Sequence, residues 1–172
     1  MKRTVVFGIV GMALCVVASA AFAADKTKSE EAFDRLASLK GEWKGEMDGV
    51  NTTLIYTVTA NGSALMEQCR PGKGPEMITM FTVDGDHLIA THYCSAKNQP
   101  QMATSPITDA QKPLAFSLVR VTGLKSADDW HNTGLTVIQE DNDHLTQGWS
   151  YQFKGKTGKN IFHFTRVRPG AI

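Results

Sequence analysis

Two patterns of apolar and polar residues divide the chain on either side of Gly41. Before it, apolar residues recur at helical spacing over 27–40. Thr27 and Glu30 have the spacing of a capping box, and Gly41 is a typical stop signal. One face of this segment carries Phe33, Leu36, Ala37 and Lys40, with Leu39 at its edge. The pattern predicts one amphipathic helix over 27–40.

After Gly41 the pattern changes to short runs that are typical of β-strands. Turn sequences such as Asp48-Gly49 and Asp84-Gly85 separate them, and Pro106 interrupts the sixth run. Ten strands are predicted, at 42–48, 52–59, 63–69, 76–83, 87–94, 101–107, 113–121, 130–139, 145–153 and 160–168. Regular spacing of this kind favours a mainly β sandwich or barrel.

If consecutive strands pair as an up-and-down meander, alternate links lie at the same end of the barrel. One end then holds the links 49–51, 70–75, 95–100, 122–129 and 154–159, which are longer and richer in Gly and Lys. We expect a ligand entrance there. That end has seven basic against four acidic residues, and the other end has one against six. A basic rim favours anionic ligands, although solvated turn charges explain the same count.

The first 23 residues have the order of parts of a cleavable secretory signal. Lys2 and Arg3 precede an almost wholly apolar stretch over 4–17, and Ala21-Phe22-Ala23 is a small-x-small cleavage pattern. An uncleaved anchor helix is the alternative, but a membrane span needs about 20 apolar residues. We therefore expect a periplasmic or secreted protein, with residues 24–172 forming a single β-barrel domain.

Composition excludes some partners of the exported chain. The 18 basic and 17 acidic residues give a net charge of +1, and losing Lys2 and Arg3 changes it to −1. A near-neutral chain gives no electrostatic reason to bind nucleic acid. No later apolar stretch is long enough to span a membrane. The length remaining after cleavage suits one domain.

The densest group of reactive side chains lies at the end of the fifth predicted strand. His92 and Cys94 share a face of that strand because side chains alternate, and Leu88 and Ala90 continue this face. An imidazole beside a thiol is compatible with a nucleophile pair, two metal ligands, a ligand contact, or a structural pair. The amides of Asn98 and Gln99 follow in the next loop.

For the other candidate site residues, the strand pattern does not decide whether the side chain points into the barrel. Glu67 shares a face with Cys69, and the parity of that strand leaves open whether the carboxylate points inward. Trp149 begins an aromatic stripe that forms either core or a ligand-stacking wall. Cys69 and Cys94 would lie two strands apart, roughly 9–10 Å, which is beyond the Cα separation of about 7 Å that a disulfide allows. Two free thiols are predicted.

The helix leading into Gly41-Glu42-Trp43-Lys44-Gly45 resembles the opening of calycin-type barrels: lipocalins, fatty-acid-binding proteins and nitrobindins. The stretch from Met77 to Pro100 is similar to an uncharacterised group of bacterial lipocalin-like proteins of unknown function. The resemblance spans about residues 32–168. It implies an antiparallel up-and-down barrel of about ten strands, with one N-terminal helix at the closed end and Trp43 plugging that end.

The same resemblance implies further site candidates. Nitrobindins hold haem through a histidine late in the chain, which makes His163 a candidate, although its neighbours Phe162 and Phe164 compete for the inner face. Fatty-acid-binding proteins use interior arginines for a carboxylate, and Arg120 and Arg166 are the candidates here. A barrel fold does not assign an activity by itself.

Four functional hypotheses follow from these observations. The first is an exported barrel that binds a small hydrophobic or amphipathic, anionic ligand. The second is a haem or metal barrel. The third is an enzyme that uses His92 and Cys94, and the fourth is a structural or interaction domain with a packed interior. The candidate ligand-binding residues are Trp43, Glu67, His92, Cys94, Asn98, Gln99 and Trp149, and the candidate metal ligands are His92, Cys94 and His163. No catalytic residue is assigned.

Overall fold

The computed structural model describes residues 25–168, which form a closed antiparallel barrel with one α-helix and a short 3-10 helix at Ala60–Gly62. The helix α1 spans Lys28–Ala37. The strands are β1 Gly41–Met47, β2 Val50–Thr59, β3 Ala64–Pro71, β4 Met77–Asp84, β5 His87–Tyr93, β6 Gln99–Thr104, β7 Leu114–Thr122, β8 His131–Gln139, β9 His144–Phe153 and β10 Lys156–Arg166. Each strand pairs with its sequence neighbours, and β1 pairs with β10. The predicted fold class is confirmed.

The pairing of β1 with β10 closes the barrel and depends on a glycine. Gly45 lies opposite Phe164, and a Cβ at Gly45 would stand 2.2 Å from the backbone oxygen of His163. Backbone atoms cannot move aside as a flexible side chain can. The second glycine of the Gly-x-Trp-x-Gly segment is therefore required for this close approach.

Two strands, β10 and β6, differ most from their predicted bounds. β10 begins at Lys156, four residues earlier than expected, because Lys154 and Gly155 both adopt positive φ and form a two-residue hairpin turn. β6 covers Gln99–Thr104 and ends before Pro106, whose missing N–H cannot join a ladder. The expectation that long links gather at one end is wrong, because the nine-residue link 105–113 lies at the other end.

The helix begins with the predicted capping box. The Thr27 hydroxyl accepts the Glu30 backbone N–H at 3.2 Å, and the Glu30 carboxylate accepts the Thr27 N–H at 2.7 Å. The helix ends at Ala37, earlier than predicted. Its buried residues are Ser29, Ala32, Phe33 and Leu36. This face covers the barrel end at which β2, β4 and β6 finish.

Trp43 plugs this covered end, as the resemblance implies. Its side chain is fully buried, and its indole Nε1 donates to the Leu39 carbonyl at 2.8 Å. The Arg166 guanidinium lies 4.2 Å from the ring centroid and donates to the carbonyls of Ser38 and Lys40. One arginine thus joins the last strand to the residues between the helix and the first strand.

The predicted signal segment over 1–23 lies outside the described residues, as do the boundaries of the predicted domain at 24 and 172. Within residues 25–168, no helix has the length and apolar character that crossing a membrane requires.

Candidate functional site

A cavity of about 180 Å³ lies in the barrel at the end opposite the helix, called the open end here. Its wall combines a buried polar group, aromatic rings and sulfur-bearing side chains. The lining residues are Met47, Asp48, Glu67, Cys69, Met77, His92, Cys94, Ser95, Trp130, Asn132, Gln147, Trp149, Tyr151, Asn160 and Phe162. Glu67, His92, Cys94 and Trp149 among the sequence candidates lie in this wall.

The polar floor of the cavity is centred on Glu67, whose side chain points inward and is 1% exposed. Its Oε2 accepts the Tyr56 hydroxyl at 2.5 Å and Gln147 Nε2 at 2.6 Å. Its Oε1 lies 3.4 Å from the Thr79 hydroxyl. Burial raises the pKa of Glu67 above its ordinary value, while these three hydrogen bonds act against that rise.

Gln147 orients this floor because its amide can bond in only one way. The Trp149 indole N–H is a donor only, so the atom it meets at 3.0 Å is the amide oxygen of Gln147. The amide nitrogen of Gln147 is therefore turned to Tyr56 Oη at 2.8 Å and to Glu67 Oε2. With two donors on Oε2, a proton held by Glu67 lies on Oε1, on the side of Thr79.

Thr79 connects Glu67 with His92. Its hydroxyl lies 3.0 Å from His92 Nδ1. Burial lowers the pKa of His92 to about 4, so the ring is neutral at neutral pH. If Glu67 is protonated, it donates to the Thr79 hydroxyl, and that hydroxyl donates to His92 Nδ1. The ring proton is then on Nε2. If Glu67 is ionised, it accepts from the Thr79 hydroxyl, whose oxygen accepts from Nδ1–H, and Nε2 is then an acceptor.

The Nε2 atom of His92 is the free end of this chain. Within residues 25–168 it has no hydrogen-bond partner, and it is not fully enclosed by protein atoms. Since His92 lines the cavity, Nε2 is available to a molecule inside. The His92 ring also lies 4.8 Å from the Trp149 ring, at an angle of 52°. A ligand meets a donor or an acceptor there according to the proton on Glu67.

Cys69 and Cys94, the two cysteines within residues 25–168, are free thiols, as predicted, and both are buried. Burial, with the charges of Glu67 and Glu76, raises the pKa of the Cys69 thiol to about 12. The sulfur of Cys94 accepts the backbone N–H of Ala96 at 3.4 Å. His92 makes its hydrogen bond to Thr79 instead of Cys94. The arrangement of a thiol activated by an imidazole is therefore not present among these contacts.

Aromatic side chains form the apolar part of the wall. Trp149 is buried, and Trp130 stacks on Tyr151 with ring centroids 5.9 Å apart. Phe162 also lines the cavity, which places the aromatic residues of β10 on the inner face. Offset and tilted rings of this kind give flat surfaces for a planar ligand.

Three sequence candidates for ligand binding lie outside the lining. Trp43 is at the covered end, where it packs under the helix. Asn98 is buried beside the rim and donates to the Trp130 carbonyl at 2.7 Å, and its Oδ1 is fully enclosed without a partner. Gln99 accepts the Thr122 hydroxyl at 2.9 Å. Asn98 and Gln99 hold the loops of the open end together.

The residues suggested by haem and fatty-acid barrels also point elsewhere. His163 lies on the outer face, with Nδ1 2.7 Å from the Thr146 hydroxyl, because Phe162 and Phe164 take the inner positions. Arg120 is exposed and bonds to a neighbouring strand, and Arg166 covers Trp43. None of the three lines the cavity.

Among the described residues that line the cavity, the ionisable side chains include carboxyl groups but no lysine or arginine. Asp48 and Glu67 carry the carboxyl groups. The basic residues expected around the open end lie outside this lining. A ligand inside the barrel therefore meets no fixed positive charge from these side chains.

Three residues of the floor escaped the sequence analysis. Tyr56, Thr79 and Gln147 lie on β2, β4 and β9, and each looks like an ordinary strand residue in its local sequence. The signal that could have found them is alternation, since Leu54, Phe81 and Leu145 share their faces. A polar residue within such an inward row is a candidate for a buried network.

The fold and the cavity define a calycin-like barrel with a small, polar-floored cavity. Structure comparison agrees with this class. The chain is similar to the crystal structure of a protein of unknown function of the DUF3598 family from Nostoc punctiforme, with a TM-score of 0.51 and 18% identity. The match covers 76% of this chain and 48% of that protein, so this chain spans about half its length. No protein-family model matches the chain, and no curated protein is significantly similar to it.

Proposed function

We propose that this protein is an exported barrel that binds a small, neutral ligand about the size of one aromatic ring. The observation that carries the proposal is the cavity at the open end, whose floor is the Glu67–Gln147–His92 group and whose sides are aromatic. A concave apolar site with a few convergent polar groups is the usual form of a small-molecule site. The polar floor orients the ligand, and the rings supply contact area.

Cavity size determines the ligand class. An engineered cavity of about 150 Å³ in another protein binds benzene, and the cavity here is about 180 Å³. Sites for drug-sized ligands start at roughly 300 Å³. A haem or a long acyl chain is too large for this space. This size argues against the haem hypothesis and against a fatty-acid ligand.

The polar groups favour a neutral molecule with a hydroxyl or N–H group. An anion would meet the buried carboxyl of Glu67 with no lysine or arginine in the described lining. Removing a charge from water without a partner is costly. A hydroxyl group both donates and accepts, so it suits His92 Nε2 in either of its protonation states. Phenol and indole have the required size and chemistry.

Calorimetric titration and thermal unfolding test this assignment. Phenol and indole should bind with one site and raise the unfolding temperature, because a ligand that binds the folded state stabilises it. Palmitate and haem should not. Gln147→Leu should weaken phenol binding, since it removes the residue that orients the floor. Gln152→Leu, on the outer face of the same strand, is the matched control and should bind as the unchanged protein does.

Two results would contradict the ligand assignment. One is the absence of binding by phenol, indole and benzene at millimolar concentration. The other is binding that survives unchanged in both Gln147→Leu and Gln152→Leu, which would place the ligand outside the cavity.

Export is supported by Lys2 and Arg3 before the apolar stretch 4–17 and the small-x-small residues Ala21-Phe22-Ala23. The measurement is the intact mass of the protein recovered from the periplasm of a bacterial host. Cleavage predicts a chain that begins at Ala24. A full-length chain retained with the cytoplasmic fraction would contradict export and leave the cavity assignment standing.

A further inference from the structure

Four sulfur-bearing side chains lie together in one part of the cavity wall. We call them the sulfur wall: Met47, Cys69, Met77 and Cys94. The first three lie on β1, β3 and β4, and Cys94 directly follows β5. The Cys69 sulfur lies 3.8 Å from the Met47 sulfur. Two thiols and two thioethers therefore face one small space.

Strand register explains why these residues are neighbours. Cys69 is directly opposite Met77 in the β3–β4 ladder. The β4–β5 ladder ends at the pair Ile78 and Tyr93, one step before Met77 and Cys94. Met77 therefore stands between the two cysteines on adjacent strands, and cross-strand neighbours on one face have Cβ atoms roughly 5 Å apart. The two cysteines are separated by one strand, which keeps them from forming a disulfide.

The chemistry of these donors selects one class of cation. Within residues 25–168, no three side chains of His, Cys, Asp and Glu converge on a common point. A hard or borderline cation that needs such ligands has no site here. Thiolate and thioether sulfur are soft donors that favour soft cations such as Cu(I). Only a cation that accepts thioether ligands finds enough donors in this wall.

We propose that the sulfur wall binds one soft monovalent cation, Cu(I) or Ag(I), through the Cys94 sulfur and the Met77 thioether, with Cys69 and Met47 beside it. Binding exchanges the proton of the Cys94 thiol for the cation, so one S–H bond is replaced by one sulfur–metal bond and a proton is released. No electron is transferred. The thiolate and the monovalent cation together carry no net charge, which suits a buried site.

Cys94 is the better anionic ligand of the two cysteines for a structural reason. Its sulfur accepts the backbone N–H of Ala96 at 3.4 Å. Cys69 lies near the carboxylates of Glu67 and Glu76, which disfavour a second thiolate. A single thiolate is also what a monovalent cation requires for neutrality.

Competition titration with bicinchoninate, a chromogenic Cu(I) chelator, tests the site under anaerobic conditions. Metal-free protein should withdraw one equivalent of Cu(I) from the chelator. Cys94→Ser and Met77→Leu should each lower the affinity by at least the roughly 10–100-fold that loss of a supporting residue costs in other metal sites. Met77→Leu nearly conserves volume, so the barrel should remain folded.

Met80→Leu is the matched control. Met80 lies on the same strand as Met77, and its position three residues along places it on the outer face. It should leave the affinity unchanged. Native mass spectrometry with Ag(I) should show one added ion in the unchanged protein and in Met80→Leu.

Equal Cu(I) affinity in the unchanged protein, Cys94→Ser and Met77→Leu would overturn the proposal, as would failure of the unchanged protein to compete with the chelator. Phenol titration in the presence of excess chelator measures the proposed organic site separately. The failure of either proposal is thereby distinguished from the failure of the other.

Discussion

The two ends of the barrel bury residues of opposite character. At the covered end, Trp43 is fully enclosed, its N–H is bonded to Leu39, and Arg166 lies over its ring. At the open end, Glu67 and His92 are as deeply buried, but they face a cavity instead of packed side chains. The first end satisfies its polar atoms with backbone carbonyls of the same region, and the second leaves His92 Nε2 available.

We interpret this difference as a division of roles, in which the covered end stabilises the fold and the open end binds the ligand. The covered end combines apolar burial with a small number of local bonds, which is a favourable arrangement for a core. The open end holds a carboxyl group and an imidazole away from water, and such burial costs free energy. Groups kept in a costly environment beside a cavity are candidates for binding. The four predictions below test whether the two ends divide these roles.

The largest effect on folding is expected from Trp43→Ala. Removal of a buried tryptophan costs about 3–5 kcal/mol of unfolding free energy. Trp149→Ala, at the open end, should cost less because one side of Trp149 faces the cavity. Chemical denaturation of both variants measures the difference. A larger loss in Trp149→Ala would show that the open end, and not the covered end, carries the stability.

The next effect is a loss of stability in acid through His92. Its pKa falls from 6.5 to about 4 on folding, so the unfolded chain binds the proton first. The free energy of unfolding is therefore highest above pH 6.5, and it falls by roughly 3 kcal/mol as the pH is lowered to 4. The measurement is urea unfolding of metal-free protein across this range, compared with His92→Gln, which should lack this component.

The groups that face His92 set the controls for that experiment. Glu67, which is connected to His92 through Thr79, changes the stability with the opposite sign. Because folding raises the pKa of Glu67, this group adds stability at a pH below its unfolded pKa, and that contribution is lost as the pH rises. Glu67 remains in both proteins, so the difference between them isolates the imidazole. Equal acid sensitivity of the unchanged protein and His92→Gln would contradict the prediction.

A smaller effect distinguishes the shape of Glu67 from its charge. Glu67→Leu leaves the Tyr56 hydroxyl and Gln147 amide without their acceptor and should cost about 1–3 kcal/mol. Glu67→Gln keeps an oxygen toward both donors and resembles the protonated acid, so its unfolding free energy at pH 7 should equal or exceed that of the unchanged protein. Thermal unfolding compares the two. If Glu67→Gln and Glu67→Leu lost the same amount of unfolding free energy, the cavity floor would require a negative charge.

The smallest effect concerns the attachment of the helix. The buried Ser29 hydroxyl donates to the Gly85 carbonyl at 2.6 Å. Ser29→Ala removes this bond and should cost about 1 kcal/mol, with phenol affinity unchanged because the helix lies at the opposite end. Weakened phenol binding in Ser29→Ala would show that the two ends are coupled.

Much of the barrel could be predicted because its signals are local. Alternation along ten runs and the turn residues between them predicted the strand count, while the up-and-down order of the strands was implied by the resemblance to calycin-type barrels. The Gly155 turn showed the limit, since Lys154 joins it at positive φ and shortens a link that looked long. A non-glycine residue with positive φ carries a weak signal in sequence.

The candidate site was only partly predictable. Alternation placed His92 and Cys94 on one face, but the same rule left Glu67 undecided because both faces of β3 carry mixed residues. The partners of Glu67 come from β2, β4 and β9, up to 80 residues away. Contacts across that separation depend on register, which a single strand does not specify.

By itself, the sequence determined where strands and turns lie, how the helix begins, and which residues share a face, since these follow from side-chain alternation and backbone preference. Only the tertiary structure decided what those faces meet: the closure of β1 on β10 at Gly45, the size of the cavity, and the bond from Gln147 to Glu67. The physical reason is that burial and hydrogen bonding of a side chain depend on residues brought together from distant parts of the chain.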